Sequence, residues 1–348
     1  MKTSGILIPD VNTLFKAALR KILKEDEENL FEKLTDEEKQ QFIEAFDEKF
    51  VDYFQNKASG VYTSFIKSHL KNQKTISNIH KESFKYFCGY LKLCYDLFHN
   101  IRKRIIYFDN SNNNKVVISQ YGYLIRLADQ IFAMLLNGYQ DGALRLWRSL
   151  YEYTATLLLL MKEYENKEIF DRYINHHHRG QSRKIESYLK HYETLKFNKL
   201  DTELVESINQ TVDDYEKQYG KEFLKNDYGW ATIAFNNIQR VTLRDIENLV
   251  GLSRLRPFYI WACSYSHSSF ESMFDFLGED QAITLDRITQ PTTEKISIID
   301  PLQLSLTLLH EVNIGFLNIY CVDHEYEINL KLFRRVFELM QSTLGNEK

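Results

Sequence analysis

Glycine and proline are scarce in this sequence, which has 13 glycines and 4 prolines among 348 residues. All-β folds use many more of both, because their frequent tight turns depend on them. Long apolar stretches are missing as well. The longest, Leu157 to Met161, is far shorter than the roughly 20 residues that cross a bilayer as a helix. We therefore expect an all-α protein without a membrane segment.

Cysteine and net charge are also low. The four cysteines include no C-x-x-C pair, so free thiols in a reducing compartment are expected rather than disulfides or a zinc site. Residues 1–10 lack the basic and apolar regions of a secretory signal, and we predict a cytoplasmic protein. The formal net charge of −4 argues against a strongly basic nucleic-acid-binding domain, although a local basic surface is compatible with it.

Apolar residues recur at close to 3.6-residue spacing along nearly the whole chain, which predicts a multi-helix bundle. The predicted helices cover residues 10–24, 36–54, 59–71, 80–108, 117–137, 140–165, 167–197, 202–219, 242–250, 255–277, 301–322 and 328–344. Thr35 and Glu38 form a capping-box pattern before the second helix. Residues 109–114 and 279–300 are predicted as loops, and residues 220–231 as irregular. We interpret residues 1–75 as a helical N-terminal extension and 76–348 as the main domain.

The predicted helix 140–165 carries a narrow polar stripe on an otherwise apolar surface. The stripe consists of Asp141, Arg145, Arg148, Ser149, Glu152 and Thr156. A helix that is apolar around most of its circumference is expected to be buried. Its polar stripe then faces either solvent or a polar cavity, and the sequence leaves both possibilities open.

The predicted helix 255–277 places Ser264, His267 and Glu271 on one face among apolar neighbours. Polar groups in such a stripe need hydrogen-bond partners. Glu271 could orient His267 and leave one imidazole nitrogen for another task. The alternative is a core histidine whose hydrogen bonds are satisfied.

A third candidate is the histidine triplet, His176, His177 and His178. On a continuous helix, one face, with Asn175 at its edge, carries a compact basic strip that could hold phosphate: Arg172, His176, Arg179 and Arg183. Consecutive histidines point in different directions, so we expect no metal site there. Dinucleotide and phosphate-loop motifs are missing from the sequence, and no cofactor is expected.

Two segments together resemble a bacterial family of unknown function over about residues 115–280. The first, Ala143-Leu-Arg-Leu-Trp-Arg-Ser-Leu-Tyr-Glu152, is similar to the family's A-x-x-L-x-R-S-L-aromatic-E helix. The second runs from Tyr228-Gly-Trp-Ala231 through Gly251 and Tyr259 to Ser264-x-x-His267 and is similar to its W-A…G…Y…S-x-x-H block. The resemblance implies an all-helical protein with Arg148, Glu152, Ser264 and His267 at the family's polar positions.

Such proteins also resemble the helical bundles of HEPN type (higher eukaryotes and prokaryotes nucleotide-binding), many of which are ribonucleases of toxin or antiviral systems. Their R-x4–6-H motif lies at a dimer interface, and Arg172 has this spacing to His177 and His178. Chance alone gives a similar number of such Arg–His pairs here, so the spacing by itself is no evidence. The resemblance implies a homo-oligomer that acts on RNA, with a partner protein of a defence system.

Three functional hypotheses follow. The first is a metal-independent endoribonuclease, in which histidine transfers protons and arginine stabilises the phosphorane. Its candidate catalytic residues are Arg148, Glu152, Ser264, His267 and Glu271, and its candidate RNA contacts are Arg145, Arg172, His176, His177, His178 and Arg179. The second is a non-catalytic sensor or protein-interaction module held by a buried polar network. The third is a metal-dependent hydrolase with Glu152, His267 and Glu271 as ligands.

Overall fold

The computed structural model describes residues 35–108, 111–236, 238, 240–266, 291 and 295–347. Every regular element in these residues is a helix, so the all-α prediction is confirmed. The chain divides into two compact units, Met1–Thr75 and Ile76–Lys348. The predicted helix 10–24 lies outside the described residues.

The described residues form the α-helices α1 (Asp36–Ile79), α2 (Lys81–Phe108), α3 (Asn112–Leu136), α4 (Gln140–Lys162), α5 (Lys167–Asn175), α6 (His178–His191), α7 (Thr202–Tyr219), α8 (Glu222–Lys225), α9 (Leu243–Val250), α10 (Arg256–Ser266), α11 (Lys295–Tyr320) and α12 (Asp323–Glu347). Two 3₁₀ helices cover Gly229–Ala234 and Ser253–Leu255. Among the described residues, no helix is both long and apolar enough to cross a membrane.

Several predicted boundaries are wrong. The helices predicted at 36–54 and 59–71 are one helix, α1, and its start at the Thr35–Glu38 capping box is confirmed. The predicted loop 109–114 ends early, because the Ser111 side chain accepts a hydrogen bond from the Asn114 N–H and caps α3. Helix α11 begins at Lys295, six residues before its predicted start, and contains Pro301.

The single helix predicted over 167–197 is two helices. Helix α5 ends at Asn175, α6 begins at His178, and the chain turns at His176 and His177. The backbone N–H groups of Arg179 and Gly180 bond to the carbonyls of His176 and His177 in this turn. Because the helix is interrupted, Arg172 and Arg179 do not share one continuous helical face, and the geometric argument for a basic strip is wrong.

Helix α4 is central in the second unit, where it packs against α3, α9, α10 and α11. Its buried side chains include Leu144, Trp147, Leu150 and Leu157. Burial on several sides agrees with the prediction from its apolar circumference. The turn that joins α3 to α4 contains Gly138, whose positive φ of 78° suits glycine.

A buried polar network joins α2, α3 and α11. The Asn313 side chain accepts a 2.6 Å hydrogen bond from the Tyr121 hydroxyl and donates to the Tyr90 oxygen and the Cys94 sulfur. Tyr90 in turn contacts His310 Nδ1 at 2.9 Å. Burial raises the pKa of Cys94 to about 12, so the thiol stays protonated. Since every member has a partner, the network fixes the relative register of these three helices.

Acid should destabilise the protein through His310. Burial holds its pKa below the usual value, and its ring stacks on Phe337 with centroids 4.0 Å apart. The unfolded chain therefore binds a proton at higher pH than the folded chain does. The contribution of His310 to the free energy of unfolding is complete at pH values above its pKa in the unfolded chain. It is lost as the pH falls below that pKa, by at most about 1.4 kcal/mol per pH unit.

Calorimetric unfolding at pH 7.5 and 5.5 would measure this dependence. The nearby charges of Glu311, Arg334 and Glu338 also act on His310, and His176 and His178 have lowered pKa values too. The difference between wild type and His310→Gln isolates the His310 contribution. If both proteins lose the same stability between pH 7.5 and 5.5, the predicted contribution of His310 is wrong.

Candidate functional site

The polar stripe of α4 lies against α10. Helix α10 follows α9 through a tight turn at Gly251, whose φ of 78° is left-handed, and α9 itself starts at a Thr242–Asp245 capping box. Pro257 occupies the first turn of α10, as predicted. Helix α4 carries the R-S-L-x-E motif, and α10 carries the serine that begins the S-x-x-H motif. The two helices are in direct contact.

Three side chains form what we call the α4–α10 cluster: Arg148, Glu152 and Tyr259. Arg148 Nε donates to Glu152 Oε1 at 3.1 Å, and the Tyr259 hydroxyl donates to the same oxygen at 2.7 Å. The Arg148 guanidinium also lies over the Tyr259 ring, 5.9 Å from its centroid. Arg148 and Glu152 keep 29% and 33% of their side-chain surface exposed, so a ligand can reach them from solvent.

The electrostatics of the cluster hold its groups in defined protonation states. Burial and the hydrogen bond to Glu152 raise the pKa of Tyr259, which therefore stays protonated and donates. Burial alone would lower the pKa of Arg148, but Tyr259 and Glu152 raise it overall. The cluster thus presents a permanent cation beside an acceptor.

A second ion pair borders the cluster. The Glu247 side chain is fully buried, and both its carboxylate oxygens accept hydrogen bonds from Arg256 Nη1 at 2.9 and 2.8 Å. Arg256 also lies over the Tyr259 ring, 5.6 Å from the centroid. Burial raises the pKa of Tyr228, and the charges of Glu152, Asp227 and Glu247 raise it further, so its hydroxyl stays protonated.

The remaining predicted catalytic residues have different positions. The Ser264 hydroxyl donates to the Trp261 carbonyl within α10. His267 and Glu271 lie outside the described residues, so their predicted roles stay predictions. Arg145, a predicted RNA contact, bonds through Nε to the Tyr265 carbonyl at 2.6 Å and pairs with Asp141.

Arg172 is a buried anchor. Its guanidinium donates to the carbonyls of Trp230 and Gly229 and to the Thr232 hydroxyl, which holds the first 3₁₀ helix in place. It also lies over the rings of Tyr219 and Phe223, 4.9 and 5.2 Å from their centroids. Only 8% of its side chain is exposed. In this structure its donors are directed at the protein itself.

The other predicted RNA contacts also bind neighbouring protein groups. His176 Nε2 contacts the Asn226 carbonyl at 2.9 Å, and His177 Nδ1 contacts the Ile174 carbonyl at 2.6 Å. Arg179 pairs with Asp227 at 2.6 Å. The His178 ring lies 3.9 Å from the His177 ring. Within the described residues, no three His, Cys, Asp or Glu side chains group as metal ligands.

Sequence reasoning missed three residues of this site as functional candidates: Tyr259, Glu247 and Arg256. Tyr259 was part of the resemblance pattern, and that was the available signal. Glu247 and Arg256 are nine residues apart on either side of the turn at Gly251, so no helical periodicity could relate them.

A family model, described as a family of unknown function (DUF5677), matches residues 114–283. Over that stretch the chain is similar to the family, in agreement with the resemblance to a family of unknown function over about 115–280. The match includes the whole α4–α10 cluster. Neither the curated proteins nor the solved structures contain a match to this chain.

Proposed function

We propose that the protein is a metal-independent endoribonuclease whose catalytic centre is the α4–α10 cluster. One observation carries the proposal: the polar stripe of α4 is paired with α10 in a half-buried position that solvent still reaches. A fixed cation, a carboxylate and a phenol meet there. The carboxylate supplies a general base and the cation supplies electrostatic stabilisation of the transition state, two of the groups that cleave a phosphodiester.

In the proposed reaction the ribose 2′-oxygen attacks the adjacent phosphorus while the bond from phosphorus to the 5′-oxygen breaks. Glu152 accepts the proton of the 2′-hydroxyl through Oε2, which has no hydrogen-bond partner in the described part of the chain. Arg148 donates to the phosphoryl oxygens as their negative charge grows. His267, by the sequence prediction, protonates the departing 5′-oxygen. The products are a 2′,3′-cyclic phosphate and a 5′-hydroxyl end.

Tyr259 positions the base in this scheme. Its hydroxyl holds Glu152 Oε1 and its ring lies beside the Arg148 guanidinium. The Arg148–Glu152 pair has the less favourable order for two charges four residues apart on a helix. It forms nevertheless, because Tyr259 supplies a further partner for the carboxylate and α10 partly shields the pair from water.

Cleavage of total bacterial RNA in EDTA tests the proposal. Wild type should give discrete fragments, and Arg148→Ala and Glu152→Gln should each cut at least about 100-fold more slowly, because each lacks a group that acts on the transition state. His267→Ala should behave likewise. Arg335→Ala is the control, since Arg335 is exposed on α12 and pairs there with Glu338.

Circular dichroism and thermal melting must show that each variant is folded. If folded wild type releases no fragments with or without Mg²⁺, the ribonuclease proposal is wrong. A ribonuclease with this centre should also arrest growth when expressed in bacteria, as a toxin or antiviral effector would.

The second candidate function is a non-catalytic sensor or interaction module. Its supporting observation is that Arg148 and Glu152 already neutralise each other, as members of a structural network do. In that case Arg148→Ala and Glu152→Gln should lower the melting temperature without any RNA cleavage in wild type. The two functions therefore predict opposite results in the same experiment.

A further inference from the structure

Helices α6 and α7 form a pair at the margin of the core, which α7 contacts through the half-buried Val212, Tyr215 and Tyr219. They pack against each other, and neither contains a buried residue. Other helices of the second unit bury apolar side chains, whereas this pair exposes them: Leu195 and Phe197, which follow α6, are 55% and 57% exposed. The α6 side of the pair, which has no buried residue and an apolar surface, is a candidate for binding.

Aromatic rings line one side of this pair. The rings of Tyr188 and Tyr192 have centroids 6.4 Å apart and planes inclined by 12°, and those of Tyr188 and Phe197 are 6.2 Å apart and inclined by 15°. We call these three residues the aromatic platform. The Tyr188 hydroxyl donates to the Asn198 carbonyl, and the Phe197 N–H donates to the Tyr192 carbonyl. These bonds hold the platform in shape without a ligand.

Positive charge surrounds the aromatic platform. Residues 178–199 contain six lysines and arginines, Arg179, Arg183, Lys184, Lys190, Lys196 and Lys199, against two glutamates, in a chain of net charge −4. Arg179 pairs with Asp227. Within the described part of the chain, the other five cations have no ion pair. An open groove of about 530 Å³ is lined by two of these cations, Arg183 and Lys184, and by one ring of the platform, Tyr188, together with His191.

We infer that the α6 side of this pair is a binding site for single-stranded RNA. Unpaired cations attract the phosphates, and the parallel rings, of which Phe197 is exposed and the two tyrosines are half-buried, stack with bases that a duplex would hide. The neighbouring helix α7 carries five acidic residues and one lysine, so the nucleic acid is confined to the α6 face. This inference rests on the proposed function and specifies its substrate class: unpaired RNA, held at a site outside the α4–α10 cluster.

The test is the affinity of the full chain for a fluorescent 2′-O-methyl oligouridine of about 16 nucleotides, which lacks the 2′-hydroxyl needed for cleavage. Arg183→Glu/Lys184→Glu should raise Kd about tenfold or more. The slope of log Kd against log salt should also fall by about 1.4, since each lost phosphate contact contributes about 0.7. Phe197→Ala should raise Kd at least about fivefold through lost stacking.

Two control variants match these changes elsewhere. Lys331→Glu/Arg335→Glu makes the same change in net charge on α12, and Leu204→Ala removes an exposed apolar side chain from the acidic helix α7. Both should leave Kd within about twofold of wild type. All of these residues are exposed, so the variants should fold, and their melting temperatures would show it.

The outcomes separate the inference from the function that it deepens. Binding that depends on α6 without any cleavage of total RNA supports the inference and overturns the ribonuclease proposal. Cleavage with a Kd that the α6 variants leave unchanged overturns the inference alone. If Phe197→Ala changes sedimentation but not Kd, the surface binds a second copy of the chain and the inference is wrong. A wild type that binds no oligouridine also overturns it.

Discussion

The Gly229→Ala variant should lose about 3 kcal/mol of folding free energy or more. A Cβ atom at this position would lie 2.0 Å from the Phe223 carbonyl oxygen and 2.8 Å from its carbon. Both are backbone atoms, so no side-chain rotation can relieve the overlap. The first 3₁₀ helix would have to move away from α8, and the hydrogen bond from Arg172 to the Gly229 carbonyl would be strained.

Chemical denaturation measures this loss, and Gly180→Ala is the matched control. A Cβ added at Gly180 in α6 meets no atom within 4 Å. Because alanine favours a helix over glycine by up to about 1 kcal/mol, that variant should be as stable as wild type or slightly more so. Equal stability of Gly229→Ala and Gly180→Ala would show that the close approach at α8 is wrong.

Arg256→Ala is expected to destabilise the protein by about 3 kcal/mol. Its partner Glu247 is fully buried, and removal of the arginine leaves an unpaired carboxylate in the interior. The value is at the lower end for broken buried pairs, because 32% of the Arg256 side chain is exposed and solvent screens part of the interaction. The arginine also offsets the effect of the Glu247 charge on Tyr151, whose pKa burial and Glu247 raise and Arg256 lowers.

A double variant distinguishes loss of charge compensation from loss of packing. Glu247→Leu/Arg256→Met removes both charges and keeps comparable volume, so most of the stability should return. Urea denaturation of Glu247→Leu, Arg256→Met and the double variant completes the cycle. If the double variant is as unstable as Arg256→Ala, the arginine acts mainly through its packing on Tyr259, and the charge argument fails.

Local sequence signals succeeded where the determining interactions are local. The Thr35–Glu38 capping box marks the start of α1, and Pro257 lies in the first turn of α10. Both depend on backbone groups within a few residues. The break between α5 and α6 at His176 escaped the same reasoning. There the His176 ring contacts the Asn226 carbonyl, fifty residues away, and apolar periodicity carries no trace of such a contact.

In the candidate site, too, the sequence indicated the locally determined features and missed those that depend on contacts between helices. Helical spacing was sufficient to place Arg148 and Glu152 on one stripe of α4, since four residues make about one turn. The stripe's environment depended on α10, which supplies Tyr259, and on α9, which supplies Glu247. The roles suggested for His267 and Glu271 remain predictions from the sequence.

By itself, the sequence determined the helical class, most helix positions and the polar stripe of α4, because each depends on periodicity and capping within a few turns. The tertiary structure alone decided that this stripe meets α10, that Arg172 anchors a 3₁₀ helix and that Glu247 pairs with Arg256. These depend on which helix faces overlap across long stretches of chain, and the one-dimensional pattern of apolar and polar residues does not encode that choice.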